Sequence, residues 1–262
     1  LKCSLELKNG LLDYCNEVKY LGVWISDTGR LKEDIERYIK DKRSNVSIKF
    51  RNFCRKNFLA PLLIKLKVLN TCVSAALTYS CETWGIGRES SVETAFRQGL
   101  KAALSVRDSV NNEIVYIETG ECPLEVRITK QQLKFWLSIQ EIAHENPNHY
   151  LAKLINAAEN TDYIKYYRNL ENMYGDDIRS CNDTLKASFN DKFSSKIHET
   201  AEADSDSKLG TYLTVNPTLS KPDFTDKCEF QRVVSTRYRT GAHNLRIEKD
   251  RRLPNSSRED RL

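Results

Sequence analysis

From Leu31 to Phe53 the apolar residues Leu31, Ile35, Ile39, Val46, Phe50 and Phe53 recur at helical spacing, which predicts one long helix from Arg30 to about Asn57. Ala60-Pro61 breaks the pattern, and a second long stripe follows in Leu62, Leu66, Leu69, Val73, Ala76 and Leu77. Tyr79, Trp84 and Gly85 close it, the aromatics reading as core and capping residues. A third stripe, Val92, Phe96, Leu100, Ala103 and Leu104, is opened by Ser90 and Glu93 at capping-box spacing. Three such helices in succession can bury one another's stripes, so a helical bundle is the expected core. Residues 113–120 suggest a turn of helix ended by Gly120, and Pro123 opens a helix carrying Leu124, Ile128, Leu133, Trp136, Ile139 and Ile142. Asn146-Pro147-Asn148 ends it, and shorter helical patterns follow around residues 150–159, 162–174 and 184–200, the last with the ladder Leu185, Phe189, Phe193, Ile197.

Before the first helix the period changes. Cys3, Leu5 and Leu7 alternate with polar neighbours and run into Asn9-Gly10, a hairpin signal because both residues tolerate positive φ. Val18 to Ile25, VKYLGVWI, reads as a further strand with Gly22 inside it, marking either a bulge or a close approach of another backbone. The expected fold is therefore mainly α: an N-terminal three-stranded antiparallel β-meander over residues 2–26, then a bundle and further helices.

Charge is concentrated. The net charge is +5, but residues 30–67 hold twelve Lys or Arg against four acids, so that segment is +8 and the remainder −3. Such asymmetry points to a polyanionic partner, with Lys40, Arg43, Arg51, Arg55 and Lys56 as candidate contacts along a single cleft beside the first sheet. The bland alternative is a solvated basic face. Residues 229–261 are basic again, and Arg237, Arg239 and Arg246 are candidates there, against a solvated or disordered tail from Leu253 onward. Tyr163, Tyr166 and Tyr167 form either a helix-packing patch or a stacking platform. The stretch from Val68 to Cys81 is too short and polar for a membrane span. Eight cysteines without a CxxC pair read as reduced core thiols, and the four histidines are not at zinc-ligand spacing.

The blocks VKYLGVWISDTGRLKEDIERYIKDKRSNVSIKF, KLKVLNTCVSAALTYSCETWG, VYIETGECPLEVRITKQQLKFW and TRYRTGAHNLRIEKDRR, in that order, resemble the region after the catalytic palm in reverse transcriptases of LINE-type non-LTR retrotransposons. The resemblance implies that Tyr20, Leu21 and Gly22 correspond to the primer grip and the following helices to the thumb. It implies 1–28 as the end of the palm with a primer-grip-like hairpin, 29–146 as a thumb-like bundle, 147–225 as a helical linker region and 226–262 as a basic, partly disordered segment. RNA and DNA as a primer-template hybrid, and the parent's palm and fingers, would be the partners, inside the cell in nucleus or cytoplasm. Two divalent ions would serve the parent, held by aspartates that precede the YLG block in the family, and a zinc knuckle would follow TGAHNLRIE. The chain is therefore expected to be a fragment that holds no cofactor and does not polymerise alone. Tyr174-Gly175-Asp176-Asp177 spells a polymerase-like YxDD, but its polar flanks and its place after YLG make it a helix stop and turn. The alternative is a free-standing helical interaction protein, separable by whether an open frame with palm motifs lies upstream.

Overall fold

A computed structural model describes residues 5–7, 10–12, 15–20, 23–26, 31–84, 89–175, 177–204, 207–224 and 227–242. Four short strands, β1 (Leu5–Leu7), β2 (Gly10–Leu12), β3 (Glu17–Tyr20) and β4 (Val23–Ser26), precede the helices. Among the described residues β1 pairs only with β2 and β3 only with β4, both antiparallel. The expected three-stranded meander is thus replaced by two separate hairpins. Tyr20 lies opposite Val23, so the chain reverses inside VKYLGVWI rather than running through it as one strand. β4 lies along α1 (Leu31–Lys56), and an Arg37–Glu17 ion pair at 2.9 Å ties β3 to the same helix.

The bundle forms as the periodicities predict. Tyr38, Ile39, Phe50 and Cys54 of α1 are buried against Leu62 and Leu66 of α2 (Leu62–Val68), and against Val92, Phe96, Leu100 and Leu104 of α5 (Glu89–Leu104). Each such side chain stabilises the fold by about 1.5–3 kcal/mol when fully buried. The second stripe is not one regular helix: α2 passes through a π-helical turn, Leu69–Ser74, into α3 (Ala75–Thr78), which keeps Leu69, Val73 and Leu77 buried. A short α4 (Cys81–Trp84) follows, and Trp84 is buried with its indole N–H on the Tyr79 carbonyl, 2.8 Å away. Gly99 lets α5 come close to that turn, since a Cβ there would stand 2.5 Å from Leu69 Cδ1.

Glu93 is not the reciprocal cap that its spacing with Ser90 suggested. It is buried, accepting from the Tyr116 hydroxyl and from the Leu124 backbone N–H at 2.7 Å. It thereby joins α5 to α6 (Asn112–Thr119) and to the start of α7 (Leu124–Glu145). Asn111 caps α6, and Gly120 ends it with φ 67°, a left-handed conformation that favours glycine.

Helix α7 is the strut between the bundle and the later helices, α8 (Tyr150–Ala157), α9 (Asp162–Tyr174) and α10 (Ile178–Ala203). Trp136 of α7 packs with Ile164, Tyr167 and Leu170 of α9, and Val126 and Leu133 pack with Cys181 and Leu185 of α10. The tyrosine cluster is a packing patch: Tyr163 and Tyr167 both donate to the Glu82 carbonyl at 2.6 Å, and Tyr166 donates to Gln132 at 2.9 Å. Cys54, Cys81 and Cys181 are core thiols as read, whereas Cys15, Cys72 and Cys228, expected in the core with them, are exposed.

Helix α11 (Lys208–Val215) packs into the core through Leu209 and Tyr212, whereas α12 (Glu229–Arg239) is anchored largely by buried charge. Lys65 donates to Glu229 at 2.9 Å, and Arg232 grips the same carboxylate at 2.6 and 2.8 Å. Burial would raise the Glu229 carboxyl, but the hydrogen bonds from Arg232 and Lys65 prevail and hold it below the usual carboxylate range. No helix of the described residues is long and apolar enough to cross a membrane.

Candidate nucleic-acid interface

Successive residues of a helix turn by about 100°, so the buried stripe of α1 has two flanks. Lys40, Arg43, Ser47 and Arg51 follow one another at intervals of three or four on the flank facing α5. With Ala95 and Gln98 of α5 they line a cavity of about 550 Å³. Arg51 and Gln98 also line a second cavity of about 440 Å³, where Arg55, Arg107 and Arg237 converge. Because the two cavities share side chains, they form one groove along the α1–α5 seam. Its cations come from α1, from the turn after α5 and from α12.

One acid stands among these cations. Asp108 takes two hydrogen bonds from Arg51 Nη2, at 3.1 and 3.2 Å, on the exposed lip of the groove. The turn carrying Asp108 is held from beneath, where Lys101 Nζ donates to the Asp108 carbonyl at 2.7 Å. Burial lowers the Lys101 pKa, partly offset by the Asp108 charge. Ser105, left-handed at φ 60°, presents its carbonyl to Arg237 Nε at 2.8 Å, which fixes the arginine at the groove's end. Among the described residues, the buried Ser47 hydroxyl in the groove lining has no hydrogen-bond partner.

The opposite flank of α1 carries Lys42 and Lys49, which with Lys19 of β3 and Asp41 line a separate cavity of about 380 Å³. Lys42 Nζ lies over the rings of Tyr38 and Tyr79, at 5.5 and 5.8 Å from their centroids. The early cations are therefore not in a single cleft beside the first sheet. They divide into two files because the buried stripe lies between them.

Set against known protein families, curated proteins and solved structures, the chain matches none.

Of the residues named from the sequence, Lys40, Arg43, Arg51, Arg55 and Arg237 are brought together in the groove. Lys56 is exposed at the end of α1 but lines neither cavity. Arg239 points inward and is spent on Glu118. Tyr20 ends β3, while Leu21, Gly22 and Arg246 lie outside the described residues, as does the tail from Leu253. The YxDD string behaves as a stop and restart: Gly175, at φ 67°, closes α9, and the Asp177 carboxylate accepts from Arg179 N–H at 2.8 Å as the cap of α10. Asp176 lies outside the described residues, and among those described no three His, Cys, Asp or Glu side chains gather as a metal-holding group.

Arg107 was missed. It sits in an irregular turn that carries no periodic signal, and only the return of that turn to α1 gives it a place in the groove.

Proposed function

We propose that the α1–α5 groove holds the sugar-phosphate backbone of a nucleic acid, and that the chain is the gripping part of a LINE-type RNA-directed DNA polymerase. The observation that carries this reading is the convergence of Lys40, Arg43, Arg51, Arg55, Arg107 and Arg237, from three segments of the chain, on one open groove. Arginine suits the task because its guanidinium offers forked hydrogen bonds to phosphate oxygens as well as charge. The groove contacts backbone and not base edges, so binding is sequence-tolerant. In this reading α1 and α5 belong to the thumb-like region, the β3–β4 hairpin beside them is the primer-grip element, and catalysis is left to other parts of the polymerase.

Filter binding to an RNA–DNA hybrid across a salt series tests it. If about six phosphates are neutralised, affinity falls roughly a thousandfold between low and moderate salt. Replacing Lys40, Arg43 and Arg55 together by glutamate, all on the helix surface, flattens that slope by about three ion contacts. Undetectable affinity, a salt-independent affinity, or an unchanged slope in the triple variant overturns the reading.

A further inference from the structure

Another cavity lies away from the groove, between α6, α7 and α10. It measures about 710 Å³ and is enclosed by the α6–α7 turn, the middle of α10 and the 219–221 segment. Two features of its lining differ in kind. Its apolar part is Val126, Leu219 and the half-buried Phe193, whose ring stacks on the buried Tyr116 at 5.2 Å between centroids with 7° between planes. The rim is cationic, with Arg127 and Lys130 from α7, Lys186 from α10 and Lys221 from the opposing segment.

These charges are not balanced by the protein. Glu121 is the only acid among the described lining residues, and it is engaged by Asn70 Nδ2 at 2.8 Å and approached by Arg127 at 3.8 Å. Among the described residues Lys130, Lys186 and Lys221 have no carboxylate partner. Three exposed ammonium groups from three separate segments line one mouth, and such a cluster attracts anions. The Lys221 stem is set in place by Gly120, where a Cβ would stand 2.7 Å from Lys221 Cδ.

We infer that this cavity is a binding site for a phosphate-bearing ligand with a flat organic body, the chemical class of a nucleoside di- or triphosphate. The body lies against Phe193, Val126 and Leu219, and the phosphates meet Lys130, Lys186 and Lys221. The site stands independently of the groove, with which it shares no lining residue.

Calorimetric titration of the full chain with ATP, with adenosine and with inorganic triphosphate separates the two halves of the proposal. ATP is expected to bind more tightly than either part. The Lys130→Glu/Lys186→Glu variant should weaken ATP at least about tenfold, the order expected for two charge-assisted contacts, with helical circular dichroism and hybrid binding unchanged. Competition by a 5′-phosphorylated oligonucleotide but not its 5′-hydroxyl form would identify a strand end as the source of the phosphate; competition by neither would identify the free nucleotide. Absence of ATP binding at millimolar concentration, retention of full affinity in the double variant, or loss of ATP binding on substituting Lys40 and Arg43 instead would overturn the assignment.

Discussion

Arg239 holds Glu118 with both arms of its guanidinium, Nε to Oε1 at 2.9 Å and Nη2 to Oε2 at 2.6 Å, and Glu118 is completely buried. Tyr212 of α11 donates to the same carboxylate at 3.0 Å, so one acid on α6 organises both C-terminal helices. Removing one member of a buried ion pair leaves the other charge without compensation and costs about 3–5 kcal/mol. Arg239→Ala is therefore expected to lower the urea midpoint sharply. Arg239→Lys should recover only part of the loss, since an ammonium does not match the fork. Wild-type stability in Arg239→Ala would show that the pair contributes little.

Asp108 occupies Arg51 on the lip of the groove, where phosphate is proposed to bind. Exposed pairs of this kind are worth about 0.2–1 kcal/mol. Asp108→Asn should tighten hybrid binding by up to about fivefold and steepen its salt dependence. Weaker binding in a folded Asp108→Asn protein would mean that the carboxylate positions Arg51 rather than competes for it.

Burial raises the Glu93 carboxyl to about 7, against the lowering effect of its bond from Leu124 N–H. A carboxyl raised on folding contributes stability that is complete below its ordinary value near 4.5 and is lost as the pH climbs through about 7. Stability should accordingly decline between about pH 4.5 and 7, and level off above that, by an amount on the order of 3 kcal/mol. Glu93→Gln should flatten that decline in a series of thermal melts. An identical pH profile in the variant would exclude Glu93 as its source.

Gly99 stands against Leu69, which is fully buried and cannot swing aside into solvent. Gly99→Ala forces the π turn and α5 apart, and overpacking of this kind costs about 1–3 kcal/mol. It should do so despite the better intrinsic helix propensity of alanine. A stabilised variant in chemical denaturation would show that the helices shift without loss.

Local patterning carried the helices a long way. The α1 stripe predicted Leu31–Lys56 to within about a residue, and Pro61, Gly120, Pro123 and Pro147 mark interruptions that the fold respects. The hairpins were less legible: alternation over VKYLGVWI is compatible with one strand or with a reversal, and a period of two does not distinguish them. Glu93 illustrates the same limit. Its spacing from Ser90 suits a capping box, but a carboxylate can serve only a few donors, and Tyr116 and Leu124 claim it.

The amino-acid order by itself determined where the helices run and that Lys40, Arg43 and Arg51 share a flank of α1, because both follow from a period of 3.6 residues along one segment. Tertiary structure alone decided which cations face solvent and which are consumed. Arg237 and Arg239 sit two positions apart on α12, yet one reaches the groove and the other a carboxylate 121 residues away. Such pairing depends on where distant helices dock, and no local period encodes it.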